Sequence, residues 1–484
     1  MNAGELRTDQ LVFHDNGFLG AADAQRIVDA GVRVLRQVGF TIEGTDEFLD
    51  CLRAYGCRID ATHVTFPDAV IDKLLSLIAG EREVNQSAEY QPSDKLTFYA
   101  SGQGSLWTAP EDDRTRSGTR ADLAAYSRML DALEVPRAHP SIIPSDVPRA
   151  TADLHAFATI AMNSSRPWRV SPYSPGIIQY FLDVMTVITG SREEAVRQAP
   201  FAHKLWISSP FKIAREAVEG AMTSRKLLGH TINITIMPVS GVSAPVTAAG
   251  AIVQEVAEVL GANVISLAIN GSLAGYCSST LCFDMTDNVS VEMGPDADIR
   301  RLLGAAVAQH WFGYRRPPSG IGLRSSAPVP GAQSMMEKSM VTIEVMRGGR
   351  DFMAAGTLSH CDTVSPVQLL LDLELRDYLQ ALIKPVDLSD EALAEDVILS
   401  VAPTGARYLE SEHTLRRYRD ELWFPKLVRR AAAKSYMDNP HDMLDRARAR
   451  ALELLANSPN RCPLDSAQRS EIERICAAAD REFS

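Results

Sequence analysis

Apolar positions in the first ninety residues recur with the period of a helix. Between Ala21 and Val38, the residues Ile27, Val28, Val32, Leu35 and Val38 fall on one face, and Gly39 follows as a stop signal. Phe66-Pro67 predicts the start of a second helix that runs through Ile78. From about residue 96 the pattern changes, and short apolar runs alternate with helical segments. The runs are Leu96–Ala100, Ser141–Ile143, Trp168–Ser171, Lys204–Ile207, Ile232–Met237, Val264–Ile269, Ser319–Leu323 and Phe352–Ala355. The helix-like stretches that follow them cover 120–134, 149–163, 175–189, 210–228, 245–260, 296–312, 332–347 and 366–383. Several carry start signals: Thr119 and Asp122 before Leu123, and Ser-Pro steps at Ser174-Pro175, Ser209-Pro210 and Ser365-Pro366.

Eight strand–helix units predict an α/β fold, a (β/α)8 TIM-type barrel over residues 96–384. Helical extensions flank it, N-terminal over 1–95 and C-terminal over 385–484. In the C-terminal part, His413–Trp423 and Asp442–Leu455 are the strongest helices, and Arg429, Arg430 and Lys434 read as a solvated face. A doubly wound open sheet is the alternative, but no GxGxxG follows a first strand.

Composition narrows the function classes. Of 484 residues, 45% are apolar and 23% charged, as in an ordinary folded protein. Lys and Arg number 49 against 61 Asp and Glu, a net charge of −12, which argues against a nucleic-acid partner. The N-terminus has early acids and no apolar signal region. Two long uncharged stretches, Thr231–Gln254 and Val259–Phe283, hold too many Asn, Ser, Thr, Gly and Pro for a membrane span. They read as buried strands followed by polar loops. The seven cysteines are scattered, an odd count without CxxC spacing, which predicts reduced thiols used for packing in a cytoplasm.

A barrel places its chemistry at the C-terminal strand ends. That position selects Ser101–Gly104, Trp107, Ser145, Asp146, Ser171, Tyr173, Ser208, Ser209, Pro238–Ser243, Asn270, Gly271, Tyr276, Leu323, Arg324, Ser359, His360 and Asp362. No cluster has metal-ligand spacing, and His360 is the one histidine in the set. Aromatic walls from Trp107, Tyr173 and Tyr276, with Trp168 and Trp206 just inside their strands, suit a cation that lacks N–H donors. The same aromatics serve equally as core. Asp146 reads as a helix cap or a site residue, and Arg324 as a carboxylate clamp or a structural ion-pair partner.

Met237–Ser266 (MPVSGVSAPVTAAGAIVQEVAEVLGANVIS) resembles the trimethylamine methyltransferase family and its relatives without pyrrolysine. Further resembling segments are Leu35–Gly44, Phe98–Leu123, Ser145–Asp153 and His413–Pro425 (HTLRRYRDELWFP), so the likeness covers about residues 15 to 455. The resemblance implies a barrel that moves a methyl group from a methylated amine to the cobalt of a separate corrinoid protein. Gly320–Ser326 (GIGLRSS) corresponds to the region that holds pyrrolysine in the trimethylamine enzymes, and it contains standard residues alone. That is similar to the glycine betaine branch and implies a quaternary amine. Two stretches depart from the family. Arg324-Ser325-Ser326-Ala327-Pro328 replaces a Thr-Asp-Ser-Lys type of loop, and Tyr276–Pro295 keeps only its Met-Gly-Pro-Asp ending. Both lie where substrate is expected, so the resemblance implies the chemistry more firmly than the identity of the substrate.

On this reading His360 is the expected catalytic residue, and Trp107, Trp206, Tyr276, Tyr173, Arg324 and Asp146 are the expected substrate-binding set. A corrinoid (cobalamin) on a partner protein is the expected cofactor, and the chain is expected to form a homo-oligomer. Three alternatives stand beside it: direct methyl transfer from a betaine or sulfonium to tetrahydrofolate, a non-catalytic betaine-binding barrel, and an unrelated lyase with His360 and Asp362 as acid and base.

Overall fold

The computed structural model describes residues 5–6, 19–87, 95–137, 139–166, 169–314 and 322–483. The helix Ala21–Val38 forms as the apolar spacing predicts. It ends at Gly39, whose φ of 64° is one that a side chain would resist, and the Gly39 amide donates to the Leu35 carbonyl. Two elements beyond the expectation follow. They are the helix Asp46–Tyr55, capped by the Thr45 side chain, and a small sheet in which Phe40–Ile42 pairs with His63–Thr65. The second predicted helix runs from Asp68 to Ser87.

Six of the predicted helices behind the strands match closely, at Arg120–Ala132, Ala152–Ala161, Ile178–Thr189, Pro295–Phe312, Ala332–Ser339 with Val341–Met346, and Pro366–Leu382. The first is closed by a capping box: the Asp122 amide donates to the Thr119 hydroxyl oxygen, and the Asp122 carboxylate accepts the Thr119 amide. Ser365 caps the last with Pro366 at its first position. Ser209-Pro210 is not a helix start. Ser208 and Lys212 exchange backbone hydrogen bonds around it, and the helix begins only at Arg215. The carboxylate of Glu258 fixes that turn, accepting from the Ser209 hydroxyl at 2.6 Å and the Phe211 amide at 2.9 Å.

The predicted strand Val264–Ile269 is instead the second half of one helix, Ala248–Asn270. This helix packs against Ala21–Val38, Asp46–Tyr55, Asp68–Ser87 and Pro295–Phe312. Burial on nearly all sides makes it apolar all round, and a short stretch of such a helix has the composition of a buried strand. It is also the one helix among the described residues long and apolar enough to cross a membrane, and 78% of its apolar window is buried inside the protein.

Among the described residues the strands are two to five residues long and form six separate sheets, with no closed barrel. Several of their parallel contacts nevertheless follow chain order. Ala100 bridges Arg137, and Val170 bridges Phe201. Leu205–Ile207 pairs with Ile234–Ile236, and Ile236 bridges Ser278. Gly322 bridges Met353, and Asp351–Ala355 pairs with Thr97–Ala100. The sixth position is taken by the segment 278–284 instead of Val264–Ile269, and among the described residues no pairing links Arg137 to Val170 or 278–284 to Gly322; residues 319–321 of the expected seventh strand lie outside the described residues, as does Trp168.

Two hydrophobic cores result. One joins the 96–201 and 341–383 segments to helices Met443–Asn457 and Ser466–Phe483; the other joins the N-terminal helices to residues 205–312.

Candidate active site

The loops at the C-terminal ends of the parallel strands meet. Gly104 lies against the following chain so closely that a Cβ there would sit 2.2 Å from the Asp362 carbonyl oxygen, and the Leu106 amide donates to that oxygen at 3.1 Å. On the other flank, the His360 amide donates to the Ser325 carbonyl at 2.8 Å and the Ser359 amide to the Ala327 carbonyl at 3.0 Å. The 101–107, 322–328 and 359–362 segments are thereby one continuous rim.

His360 occupies its centre. Ser359, His360 and Cys361 all have positive φ (46°, 58° and 73°), a run that non-glycine residues adopt only when the surroundings impose it. The imidazole is half-buried, and its Nδ1 is buried without a hydrogen-bond partner. Strain together with an orphaned polar atom makes His360 a candidate to contact a ligand.

Arg324 is beside it but not free. Its guanidinium donates to Glu292 at 2.7 Å, so its charge is neutralised within the rim. Ser325 and Ser326 both bind the carboxylate of Glu337: the Ser325 hydroxyl lies at 2.6 Å and the Ser326 amide at 2.8 Å. Burial alone would raise the Glu337 carboxyl, but these hydrogen bonds outweigh it and hold the group below its ordinary range.

Next to Ser105 opens a cleft of about 850 Å³, lined among others by Ile143, Ser145, Val147, Arg149 and Tyr173. Tyr173 is 55% exposed and presents its ring. Its backbone amide donates to Asp153 at 2.7 Å. Asp153 is buried behind the wall, and burial pushes its carboxyl up to about 6 against the opposing hydrogen bonds of Tyr173 and Leu154.

The remaining expected residues separate. Trp107 is buried edge-on to Tyr126 in the first core, and Tyr276 is buried edge-on to Phe312 in the second. Both rings turn into the cores, Trp107 from within the strand Leu106–Thr108 and Tyr276 from a loop. Asp146 accepts the Arg120 amide at 2.9 Å, so it caps the helix before it in sequence rather than the one after. Trp206 is 43% exposed, facing away from the core that takes its neighbours Leu205 and Ile207. Among the described residues no hydrogen bond joins His360 to Asp362, the pair the lyase alternative requires.

The profile of the trimethylamine methyltransferase (MTTB) family matches residues 12–484. The chain belongs to this family. Among its relatives, the trimethylamine methyltransferase MttB of Desulfitobacterium hafniense is 25% identical over 456 residues, covering 91% of this chain and 90% of the relative. The Methanosarcina barkeri (strain Fusaro) MttB is 26% identical over 475 residues, 94% of this chain and 93% of the relative. A glycine betaine methyltransferase of Desulfitobacterium hafniense (strain Y51) is 22% identical over 443 residues, 90% and 91% respectively.

Within this methyltransferase family chain, sequence reasoning missed Glu292, Glu337 and Asp153. Glu292 reads as part of a loop, Glu337 as one face of a helix, and Asp153 as a first-turn acid that suits the helix dipole. Only the chain-order distance of 32 residues from Glu292 to Arg324, closed in space, reveals the pair.

Proposed function

We propose that this chain takes a methyl group from a small quaternary ammonium compound and passes it to the Co(I) of a corrinoid carried by a separate protein. We further read the chain-ordered parallel pairs as arcs of one eight-fold β/α ring, with the rim around His360 as its mouth. Membership of the methyltransferase family over nearly the whole chain carries the reading. The glycine betaine methyltransferase relative, and standard residues alone in Gly320–Ser326, favour a quaternary donor over trimethylamine.

The residues present fit such a partner. The cleft opens next to Ser105 of the rim, and His360, on another segment of that rim, keeps a buried Nδ1 unpaired. Segments 101–107 and 143–149 would hold the edge of a docked corrinoid, which supplies a strongly nucleophilic metal centre when bound. A quaternary nitrogen departs as a neutral tertiary amine when its N–CH3 bond breaks, so no proton need be delivered first. What this chain supplies is orientation and exclusion of water. Tyr173 and Trp206 are the expected aromatics with open faces, and each attracts an ammonium by about 0.5–2 kcal/mol. A closed cage would hold the cation more tightly than the transition state and slow the reaction. Two open rings are enough to select the donor without trapping it. His360 positions the donor against the mouth.

His360→Ala tests this assignment. It is expected to lower turnover with free cob(I)alamin by about 10²-fold while donor affinity changes a few-fold. Unchanged binding together with unchanged turnover removes His360 from the mechanism.

A further inference from the structure

Alternation along the parallel strands places a second set of side chains on the face opposite the cores. Phe98 and Ala100 are buried while Tyr99 is half-exposed; Val170 is buried while Arg169 is exposed. Leu205 and Ile207 are buried while Lys204 and Trp206 face the other way, and Phe352 is buried while Asp351 is exposed. Asp351 and Tyr99 lie on paired strands, and Val170, next to Arg169, bridges Phe201 in the strand segment that leads to Lys204 and Trp206. The Tyr99 hydroxyl lies 3.2 Å from Asp351 Oδ1, which engages the one carboxylate of the set. Among the described residues neither Arg169 nor Lys204 has a hydrogen-bond or ion-pair partner. Arg169 nonetheless lies within electrostatic reach of Tyr99, His139 and Lys204. Burial, then Lys204 and Arg169, push the His139 imidazole down to about 4, so it is neutral, and its Nδ1 is buried and unpartnered. Two cations thus lie within electrostatic reach of an orphaned imidazole nitrogen, while Arg324, the expected carboxylate clamp, is already paired with Glu292.

We infer that Arg169 and Lys204, with His139, form an anion-binding floor beneath the mouth, so that the donor is a zwitterion whose anionic group is anchored there. This rests on the ring reading above. Lys204 and Trp206 are two residues apart on one face, a rise of about 6.6 Å. That spacing, with the reach of a lysine side chain, suits an onium centre a few bonds from a carboxylate, sulfonate or phosphonate. The onium stacks on Trp206, the anion sits on the floor, and the methyl groups point to the mouth. A bare cation such as tetramethylammonium gains nothing from the floor and meets two positive charges instead.

The test is calorimetric binding to the full-length protein of glycine betaine and its longer carboxylate homologues, their methyl esters, and tetramethylammonium. At least one zwitterion is expected to bind about tenfold or more tightly than its ester, since the ester cannot accept the charge-assisted hydrogen bonds. Arg169→Gln and Lys204→Met are each expected to abolish that preference while tetramethylammonium affinity rises, since one repelling charge is gone. Esters that bind as well as their acids, or variants that keep the preference, overturn the floor. If esters and tetramethylammonium bind and donate methyl groups as well as zwitterions, the floor fails and the methyltransferase reading stands. If no methylated compound of any charge binds, both fail.

Discussion

Asp153 shows how a single buried carboxyl shapes this site. Its carboxylate anchors the Tyr173 amide and hence one wall of the cleft, yet burial raises its pKa from an ordinary 3.8 to about 6. The folded state therefore favours the protonated form. Its contribution to stability is fully present below pH 4, falls as the unfolded chain ionises, and is lost by the time pH passes 6. The span corresponds to about 3 kcal/mol. Asp153→Asn removes the titration. The variant is expected to gain stability relative to wild type by up to that amount as pH rises from 4 to 6, in denaturant melts at each pH. A difference that stays flat over this range contradicts the assignment. His360 lies at the other extreme, where backbone strain rather than titration carries the argument. Its position at a strand end was legible in the sequence. Its left-handed backbone was not, because nothing in the GTLSHCDT run requires it locally.

At the scale of elements, the segment leading to His360 is locked from below by a buried ion pair. Lys338 Nζ donates to Asp372 Oδ2 at 2.7 Å with both side chains fully buried, and the Gly356 amide donates to the same oxygen at 2.7 Å. The pair ties helix Ala332–Ser339 to helix Pro366–Leu382 and to the turn before the His360 loop. Asp372→Asn leaves the Lys338 charge buried without its counterion, at an expected cost of about 3–5 kcal/mol in chemical denaturation. A loss below 1 kcal/mol contradicts the role. Helix positions were largely legible, since amphipathic spacing and cap residues such as Thr119 and Ser365 act locally. The Val264–Ile269 strand was misread because the surroundings of helix Ala248–Asn270, rather than its own period, set its composition. Trp107 and Tyr276 stand at the expected strand ends, but whether a ring turns to the cleft or to the core depends on packing partners far along the chain, Tyr126 and Phe312.

At the scale of the whole molecule, the two cores leave one region uncovered. No residue between Lys384 and Lys426 is buried, although short helices form there and Leu393, Leu399, Leu409 and Leu415 are exposed. Helices this short draw little stability from propensity alone, so this segment is expected to open first. Limited trypsin digestion should cut at Arg407, Arg416, Arg417 or Arg419 before any site in helix Ala248–Asn270 or its neighbours, as read by mass spectrometry. First cleavage within the 205–312 core contradicts this. The central claim concerns the reaction, and methyl transfer tests it most directly. Purified full-length protein is mixed with reduced cob(I)alamin and, in turn, quaternary ammonium compounds, trimethylamine and sulfoniums, while the cobalt absorbance is followed. Conversion to methylcobalamin with a quaternary ammonium donor, and not with trimethylamine, is the predicted result. A methyl group that appears on added tetrahydrofolate without cobalamin, or conversion with trimethylamine alone, contradicts the account.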